Sequence, residues 1–217
     1  VVDGVSFAGH GLPDVAGLGA DIYLFSLYKV YGPHQGVMVI RPDMAGLLAP
    51  QSHYFLSDIR EKRFMPAGPD HAQIAGIKGV DEYFQTLCAH HFQDAASASD
   101  SQKAENIRTL FKQAEHETSR VLLDYLKAQK GLRLIGPDDP EKRCPTISVL
   151  PANKTPWELA TSLGHKGILC GAGHYYSARL LEAMSIAPET GVLRFSLVHY
   201  TGKEEVEQAI RELEGVI

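Results

Sequence analysis

Cysteines are few in this sequence and long apolar runs are absent, and both features limit what the protein can be. The three cysteines among 217 residues, Cys88, Cys144 and Cys170, stand far apart without paired spacing. Such a set argues against a disulfide framework or a zinc site, so we expect a cytoplasmic protein without a metal. No apolar run reaches the roughly 18 residues of a membrane span, so we expect no membrane partner.

Basic residues are outnumbered, and the first residue is not methionine. Lys and Arg total 21 against 26 Asp and Glu, and the net charge is -5. No basic stripe with interleaved aromatic residues is present, so we expect no nucleic-acid partner. The sequence opens on "VVDGVSF", without a signal peptide, in what reads as an interior strand. We therefore expect the chain to be a piece of a longer protein.

The remaining composition is that of an ordinary globular protein, with 44% apolar and 22% charged residues. Apolar runs bounded by Gly and Pro predict strands at residues 1–9, 20–27 and 36–40. All three runs are apolar on both faces, as in strands that helices cover. Helical spacing of apolar residues predicts helices at residues 70–96 and about 100–128.

After Gly131 the pattern changes to short strands and capped helices. The runs "GLRLIGP", "PTISVLP" and "VLRFSLVHY" each predict a strand. Thr155-Pro156-Trp157-Glu158 is a capping box with proline at the first helical position, and it predicts a helix. Thr201-Gly202-Lys203-Glu204 reads as a second capping box before a final helix. The inner face of that helix is predicted to carry Val206, Ile210, Leu213 and Ile217.

The segment "FSLYKVYGPHQGVMVI", residues 25 to 40, places one lysine between two apolar runs. Lysine is a nucleophile in Schiff-base chemistry, although by position alone Lys29 is a strand-end lysine that reaches solvent. Its neighbours favour a chemical role. Ser26 and Tyr28 offer hydroxyl groups to an anion, and Asp3 ends an apolar run, where a carboxylate is costly unless it pairs with a cation.

Four segments resemble one known family in order. "VDG…H…DV…GADIYLFSLYKVYGPHQGVMVI" resembles the pyridoxal-phosphate segment of the class V aminotransferases, which include cysteine desulfurases and selenocysteine lyases. "KRFMPAGPDHAQIAGIKGVDEYF" resembles their R-F-E-x-G-T-P-N stretch and the helix after it. "RCPTISV" resembles the R-x-P-T-x-S-F strand, and "GVLRFSLVHYTGKEEVEQAI" resembles the C-terminal G-x-x-R-x-S-x-x-x-Y-N-T-x-E-E motif. Together the matches span nearly the whole chain.

The resemblance implies an α/β protein with the type I fold of pyridoxal-phosphate-dependent transferases. Residues 1–98 would form the C-terminal part of the cofactor-binding large domain. Residues 99–217 would form the small C-terminal α+β domain with its leading long helix. Family members run to about twice this length, so the resemblance also implies a further half that precedes Asp3.

Residue by residue, the resemblance implies pyridoxal 5'-phosphate as the cofactor and Lys29 as the lysine that forms its internal aldimine. Asp3 matches the carboxylate that pairs with the pyridinium nitrogen, and Ser26 matches a phosphate-binding serine. Arg194 matches the arginine that binds the substrate carboxylate, a task that suits a bidentate fork. The alternative for Arg194 is a structural ion pair on a strand.

The sequence also departs from the family pattern at cofactor-binding positions. Ser6 stands where the family has a glutamine near the ring hydroxyl of the cofactor, and Tyr28 stands where it has a histidine. Gly68 aligns with a phosphate-binding threonine that the partner subunit contributes in the family, which leaves only backbone N–H groups there. His10 aligns with a cofactor-proximal region and is counted with the substrate-binding candidates, with a strand-end histidine as the alternative.

A further departure concerns the reaction. Related desulfurases carry their persulfide-forming cysteine in an R-x-G-H-H-C stretch, and the aligned residues here are "GAGHYYS". Gly171 takes the arginine position and Tyr176 takes the cysteine position, so we expect a poor cysteine desulfurase. Cys170 is better explained as a buried structural thiol. His174 and Tyr175 are candidates for the substrate pocket, although aromatic residues before a helix also serve packing.

Three functional hypotheses follow. In the first, the protein is a pyridoxal-phosphate enzyme that acts on a small amino acid as a homodimer. It would be a lyase, such as a selenocysteine lyase, or an aminotransferase, with Lys29 also serving as the base at the substrate's α-carbon. In the second, it is a non-catalytic relative that serves as an interaction module, as the substituted phosphate ligands suggest. In the third, it is an unrelated α/β binding domain with Lys29 on its surface, which the ordered matches argue against.

Overall fold

The computed structural model describes residues 1–217, which form two compact units, Val1–Thr109 and Leu110–Ile217. The boundary between the units falls inside helix α3 (Asp100–Ala128). The helix predicted at about residues 100–128 is confirmed by α3. The domain assignment at residues 1–98 and 99–217 stays a prediction. None of the helices combines the length and the apolar character that crossing a bilayer requires.

The first unit contains a three-stranded sheet of β1 (Val2–Asp3), β2 (Ile22–Ser26) and β3 (Gly36–Ile40), in that order. β1 runs parallel to β2, and Asp3 is the register partner of Leu24. β3 runs antiparallel to β2, with Ser26 opposite Gly36. The predicted β2 and β3 are confirmed.

β1 is much shorter than the strand predicted over residues 1–9, because Gly4 turns the chain. The carbonyl of Gly4 accepts hydrogen bonds from the N–H groups of Phe7 and Ala8, both at 2.9 Å. A 3-10 turn, Ala8–His10, follows. Only glycine fits at position 4, since a Cβ there would lie 1.9 Å from Cζ of Tyr23. The strand therefore ends at Asp3.

Two further helices belong to the first unit: α1 (Pro42–Leu47) and α2 (His71–His91). α2 begins at the N-cap Asp70, whose carboxylate accepts the N–H of Gln73 at 3.1 Å. The helix predicted over residues 70–96 is thus confirmed up to His91. α1 was not predicted, because six residues are too few for helical periodicity to show.

Within this chain, the prediction that helices cover both faces of the sheet is confirmed for one face only. Tyr23 is buried, and Phe25 packs against a cluster that includes Val80 of α2, so one face is covered. Leu24 and its register partner Met38 are both exposed on the other face. An apolar composition shows that a strand is suited to burial. It does not show which face of the sheet is covered by other residues of the same chain.

The second unit is built on an antiparallel sheet of β4 (Leu132–Ile135), β5 (Thr146–Pro151), β6 (Gly171–Gly173) and β7 (Val192–Ser196). The strand order is β4-β5-β7-β6. The three strands predicted after Gly131 are confirmed. β7 ends at Ser196 because the hydroxyl of Thr201 accepts the N–H of Val198 at 3.0 Å and closes a turn.

Three helices complete the second unit: α4 (Pro156–His165), α5 (Ala178–Ala183) and α6 (Lys203–Glu214). The capping box at Thr155 is confirmed, since its hydroxyl accepts the N–H of Glu158 at 3.2 Å and the Glu158 carboxylate accepts the N–H of Thr155 at 2.7 Å. The box predicted from Thr201 is wrong. The N-cap is Gly202, whose N–H donates to Glu205 at 2.7 Å, because the Thr201 hydroxyl closes the preceding turn.

One apolar cluster forms the main core of the second unit. On α6, Val206 and Leu213 are buried in it and Ile210 packs against it, whereas Ile217 lies beyond the helix end and is exposed, contrary to the prediction. The buried members of the cluster are Leu122, Leu123, Leu126, Leu132, Ile147, Val149, Leu159, Leu163, Leu193, Phe195, Leu197, Val206 and Leu213.

Candidate active site

Lys29 lies on a short turn at the end of β2, which we call the Lys29 turn (Leu27–Gly32). The strand leads into a 3-10 turn over Leu27–Lys29, and the carbonyl of Leu27 accepts the N–H of Gly32 at 2.9 Å. Tyr31 adopts a φ of 62° and redirects the chain toward β3. Leu27 is buried and Lys29 is exposed, so the amine extends from an anchored turn.

The backbone beneath the Lys29 turn is held by Gly9. A Cβ at position 9 would lie 2.3 Å from the carbonyl oxygen of Lys29, so only glycine permits this approach. The hydroxyl of Tyr31 donates to the carbonyl of Gly9 at 2.6 Å. Sequence reasoning missed both residues. A glycine in "FAGH" and a tyrosine two residues after the lysine carry no signal until the fold brings them together.

Asp3 and Ser26 lie at the same edge of the sheet as this turn. β1 and β2 are parallel, so their carboxyl ends meet at one edge. Residues two apart on a strand share a face, so Ser26 lies on the same face as Leu24 and its partner Asp3. Asp3 accepts the local N–H of Val5 at 3.0 Å and forms no ion pair. The hydroxyl of Ser26 makes no capping hydrogen bond.

An aromatic pair stands beside Lys29. The rings of Tyr28 and His34 stack with centroids 4.8 Å apart and an angle of 6°. Nζ of Lys29 lies 5.9 Å from the centroid of the Tyr28 ring, within the range of a cation–π contact. The position of Tyr28 was predicted as cofactor-binding, whereas His34 was not singled out. The turn at Gly32-Pro33 is what brings the two rings together.

Other predicted residues lie elsewhere in the first unit. Ser6 is exposed in the turn after β1, and His10 is half-buried at the end of its 3-10 turn. Gly68 lies in an exposed, irregular segment before α2, and no atom would meet a Cβ placed there. Their predicted roles stay predictions.

The residues at the sheet edge fit one side of pyridoxal phosphate. They offer an amine on an anchored turn, a carboxylate without a cationic partner and a hydroxyl without a capping bond, contributed by Lys29, Asp3 and Ser26. These groups match the aldehyde, the ring nitrogen and the phosphate of the cofactor. No group of three or more His, Cys, Asp or Glu side chains is placed to hold a metal ion.

Arg194 belongs to the second unit, on the central strand β7. It pairs in register with Ser148 of β5 and with Gly171 of β6. Its Cζ lies 3.6 Å from the centroid of the Tyr175 ring. Its Nε is buried without a hydrogen-bond partner, and the side chain forms no ion pair. The structural ion pair considered as an alternative for Arg194 is therefore absent, and a half-buried cation remains for an anion.

The loop that carries Tyr175 is closed by His174. Its Nδ1 accepts the N–H of Tyr176 at 3.1 Å, and its carbonyl accepts the N–H of Ser177 at 2.7 Å. Tyr175 and Tyr176 both have positive φ, 50° and 62°. Because Nδ1 of His174 serves the loop, Nε2 is the atom left for the predicted contact with a substrate.

The cysteines show no sign of a nucleophile. None of the three is disulfide-bonded, and Cys170 is half-buried. Burial raises the pKa of the Cys170 thiol, which keeps it protonated at neutral pH. Tyr176, at the position of the family's persulfide cysteine, is exposed.

Comparison with known proteins connects this arrangement to one family. The aminotransferase class-V family model matches residues 1–209. The aminotransferase-like protein FGM3 of Gibberella zeae is 31% identical over 224 residues, which cover 100% of this chain and 51% of that protein. A probable cysteine desulfurase of Pseudomonas aeruginosa is 29% identical over 213 residues, covering 96% of this chain and 48% of that protein. The chain thus spans about half the length of the curated relatives it matches.

Solved structures share the fold. The apo structure of a cysteine desulfurase from Thermococcus onnurineus NA1 superposes with a TM-score of 0.79 at 21% identity, covering 100% of this chain and 52% of that one. The predicted type I fold and the predicted family are confirmed, and the family's dependence on pyridoxal phosphate agrees with the predicted cofactor. With its family model matched over residues 1–209, the chain belongs to the class V aminotransferase family.

Proposed function

We propose that the protein containing this chain is a pyridoxal-phosphate-dependent enzyme that acts on a small amino acid as a lyase or an aminotransferase. One observation carries the proposal. Lys29 extends an exposed amine from an anchored turn, at the sheet edge that also holds Asp3, a carboxylate without a cationic partner. The family supplies the cofactor to which such a pair is suited.

Each residue has a separate task in this proposal. When bound, the cofactor supplies an electron sink for the bonds at the substrate's α-carbon. Lys29 would hold the cofactor through Nζ and would then move a proton at the substrate's α-carbon. Asp3 would pair with the ring nitrogen of the cofactor, and Ser26 would bind its phosphate. Arg194 binds the substrate carboxylate.

The remaining cofactor and substrate contacts are proposed from the family pattern. Tyr28 stacks with His34 beside the lysine, and its hydroxyl would lie near the cofactor. Ser6 would lie near the ring, and the backbone N–H at Gly68 would reach a phosphate across the subunit boundary. His10 and His174 are proposed as substrate contacts.

Cysteine desulfuration is the branch that the chain supports least. The aligned position carries Tyr176, and Cys170 combines partial burial with a raised pKa. A selenocysteine lyase or an aminotransferase needs no persulfide-forming thiol, so either remains compatible with the chain.

We also propose that the enzyme works as a homodimer in the cytoplasm. Leu47, Tyr54 and Phe55 expose 80%, 88% and 65% of their surface. Arg63 orders this irregular segment by donating to the carbonyls of Leu48 and Ser57, at 2.8 and 2.9 Å. Ordered, exposed apolar groups are typical of an interface. The three unpaired cysteines agree with a reduced compartment.

Borohydride labelling tests the proposal. The complete protein is loaded with pyridoxal phosphate, reduced and digested, and the pyridoxyl label is expected on Lys29. Lys29→Ala should abolish the covalent label, whereas Lys62→Ala, at an exposed lysine, should retain it. A label on another lysine would refute the assignment. A protein that takes up no cofactor at saturating concentration would instead support the interaction-module hypothesis, which Gly68 in place of threonine favours.

A further inference from the structure

Tyr175 occupies an unusual position between an apolar cluster and a cation. Its side chain packs against the cluster of Ile135, Leu181, Ile186 and Val192. Cζ of Arg194 lies 3.6 Å from the centroid of the same ring. The ring therefore covers the guanidinium and is itself held in place by this four-residue cluster.

The backbone at Tyr175 is strained in order to reach this position. Non-glycine residues rarely adopt positive φ, yet Tyr175 and Tyr176 do so in succession. Such strain persists only where the surrounding structure fixes it, and it concentrates at functional sites. Here it turns Tyr175 inward while Tyr176 remains exposed.

The hydroxyl of Tyr175 occupies space that Gly171 leaves free. A Cβ at position 171 would lie 2.2 Å from the Tyr175 hydroxyl oxygen. That hydroxyl is buried without a hydrogen-bond partner in the protein. Because burial raises the pKa of Tyr175, the phenol stays neutral beside the cation at physiological pH. The fit of the ring therefore depends on position 171 and on stacking, not on a hydrogen bond of the phenol.

We propose that Tyr175 is a positioning residue for Arg194, and that Gly171 and Tyr175 act as a matched pair. They stand where related desulfurases carry the arginine and the second histidine of R-x-G-H-H-C. By covering one face of the guanidinium, Tyr175 fixes its plane, so that a carboxylate must approach along the edge. The inference rests on the proposed function, since it takes the α-carboxylate of an amino acid as the ligand of Arg194.

The test compares two probes that differ only in the carboxylate. L-Alanine and ethylamine are titrated into the complete protein loaded with pyridoxal phosphate, and the half-saturating concentration is read from the cofactor's absorbance. Tyr175→Leu should raise the half-saturating concentration of L-alanine about tenfold and leave that of ethylamine unchanged. Tyr175→Phe keeps the ring and should retain most of the affinity for L-alanine. The control Tyr176→Leu changes the adjacent, exposed tyrosine and should change neither probe.

A second variant tests the pair of Gly171 and Tyr175 by changing Gly171. The backbone of Gly171 is not in the left-handed region, so alanine is compatible with it except for the contact with Tyr175. Gly171→Ala should lower the affinity for L-alanine as much as Tyr175→Leu does. The double variant should bind L-alanine no more weakly than either single variant. Gly131→Ala, where a Cβ meets no atom within 4 Å, is the control. The inference would be overturned if the effects of the two substitutions on L-alanine affinity were additive in the double variant. It would also be overturned if the affinities for L-alanine and ethylamine fell equally.

A structural readout separates this inference from the proposed function. If neither amine changes the absorbance of the unaltered protein, the proposed function fails, but the stack can still be tested by NMR. The Nε proton of Arg194 should resonate upfield of its position in Tyr175→Leu, because it lies in the shielding region of the ring. The same resonance position in both proteins would show that the ring does not position Arg194.

Discussion

The two units of the chain differ in how they hold their residues in place. The second unit encloses 13 buried side chains in one contiguous cluster. In the first unit, the cluster beside the Lys29 turn contains only three buried residues, Ala8, Val30 and Val80. The first unit also leaves Leu24 and Met38 exposed on one face of its sheet.

The comparison shows two ways to fix a functional side chain. Arg194 lies against the ring of Tyr175, which packs on a cluster of four buried residues separate from the main core. Lys29 is held instead by close backbone contacts, with Gly9 against its carbonyl and Tyr31 bonded to Gly9. A lysine turn can therefore be positioned by a unit that is sparing in apolar burial, provided that the backbone around it leaves no room to shift.

The largest expected effect tests the difference in core. Leu163→Ala removes a fully buried side chain of the second unit and should lower the free energy of unfolding by about 3 kcal/mol. Leu24→Ala, in the first unit, truncates a side chain that is 37% exposed and should cost less than about 1 kcal/mol. Urea denaturation of the 217-residue chain, followed separately in each unit, gives both values. Equal losses would show that the open face of the first sheet is covered in solution.

The next effect tests the backbone contact in the first unit. Gly9→Ala would place a Cβ 2.3 Å from the Lys29 carbonyl oxygen and should destabilise the unit by about 2 kcal/mol. It should also displace the Lys29 turn, which NMR shifts of residues 27 to 32 would report. Gly46→Ala, in α1, meets no atom within 4 Å and serves as the control. If Gly9→Ala were as well tolerated as the control, the Lys29 turn would not depend on this contact.

The same contrast explains what sequence could predict. β2, β3 and most of the second unit were predictable because apolar runs, their Gly and Pro boundaries and the Thr155 box are local signals. The roles of Gly4 and Gly9 were not, since each depends on a residue about 20 positions away, Tyr23 for one and Lys29 for the other. Close backbone approach leaves no periodic trace in the sequence.

The candidate site also combines residues that the sequence identified with contacts that only the structure shows. Motif resemblance identified Lys29, Asp3, Ser26 and Arg194 as site residues, although the roles assigned to them stay predictions. The hydrogen bond from Tyr31 beneath Lys29 and the contact of the Tyr175 ring with Arg194 emerge only from the structure, although Tyr175 itself was a substrate-pocket candidate. The second capping box failed for a related reason: Thr201 can cap a helix or close a turn, and tertiary context selected the turn.

A smaller effect is expected at the helix cap of the second unit. Thr155→Ala removes the hydroxyl that accepts the N–H of Glu158, and it should cost about 1 kcal/mol. Hydrogen bonds from Thr155 lower the pKa of Glu158, so the variant should also raise that pKa. Thr161→Ala changes an exposed threonine within the same helix and should not destabilise it. Chemical denaturation and a carboxyl NMR titration measure the two quantities, and an unchanged Glu158 titration would contradict the cap.

The smallest effect concerns an exposed ion pair in the first unit. Arg41 follows β3 and bridges Asp21, which precedes β2, at 3.0 Å, and its Nε donates to Asp43 at 3.0 Å. The hydrogen bond from Arg41 lowers the pKa of Asp43 from 3.8 to about 2. Because this pKa is depressed in the folded state, its contribution to stability is present above pH 3.8 and is lost as the pH falls through about 2.

Because the Asp43 carboxylate is exposed, its pKa is a sharper test of this pair than the free energy of unfolding. Arg41→Met should raise the pKa of Asp43 toward its ordinary value, read from the carboxyl carbon by NMR, whereas Arg60→Met should leave it unchanged. Raising the salt concentration should shift the same pKa upward in the unaltered chain, because an exposed pair is screened. A pKa of Asp43 that does not respond to Arg41→Met would mean that the contact between Arg41 and Asp43 does not form in solution.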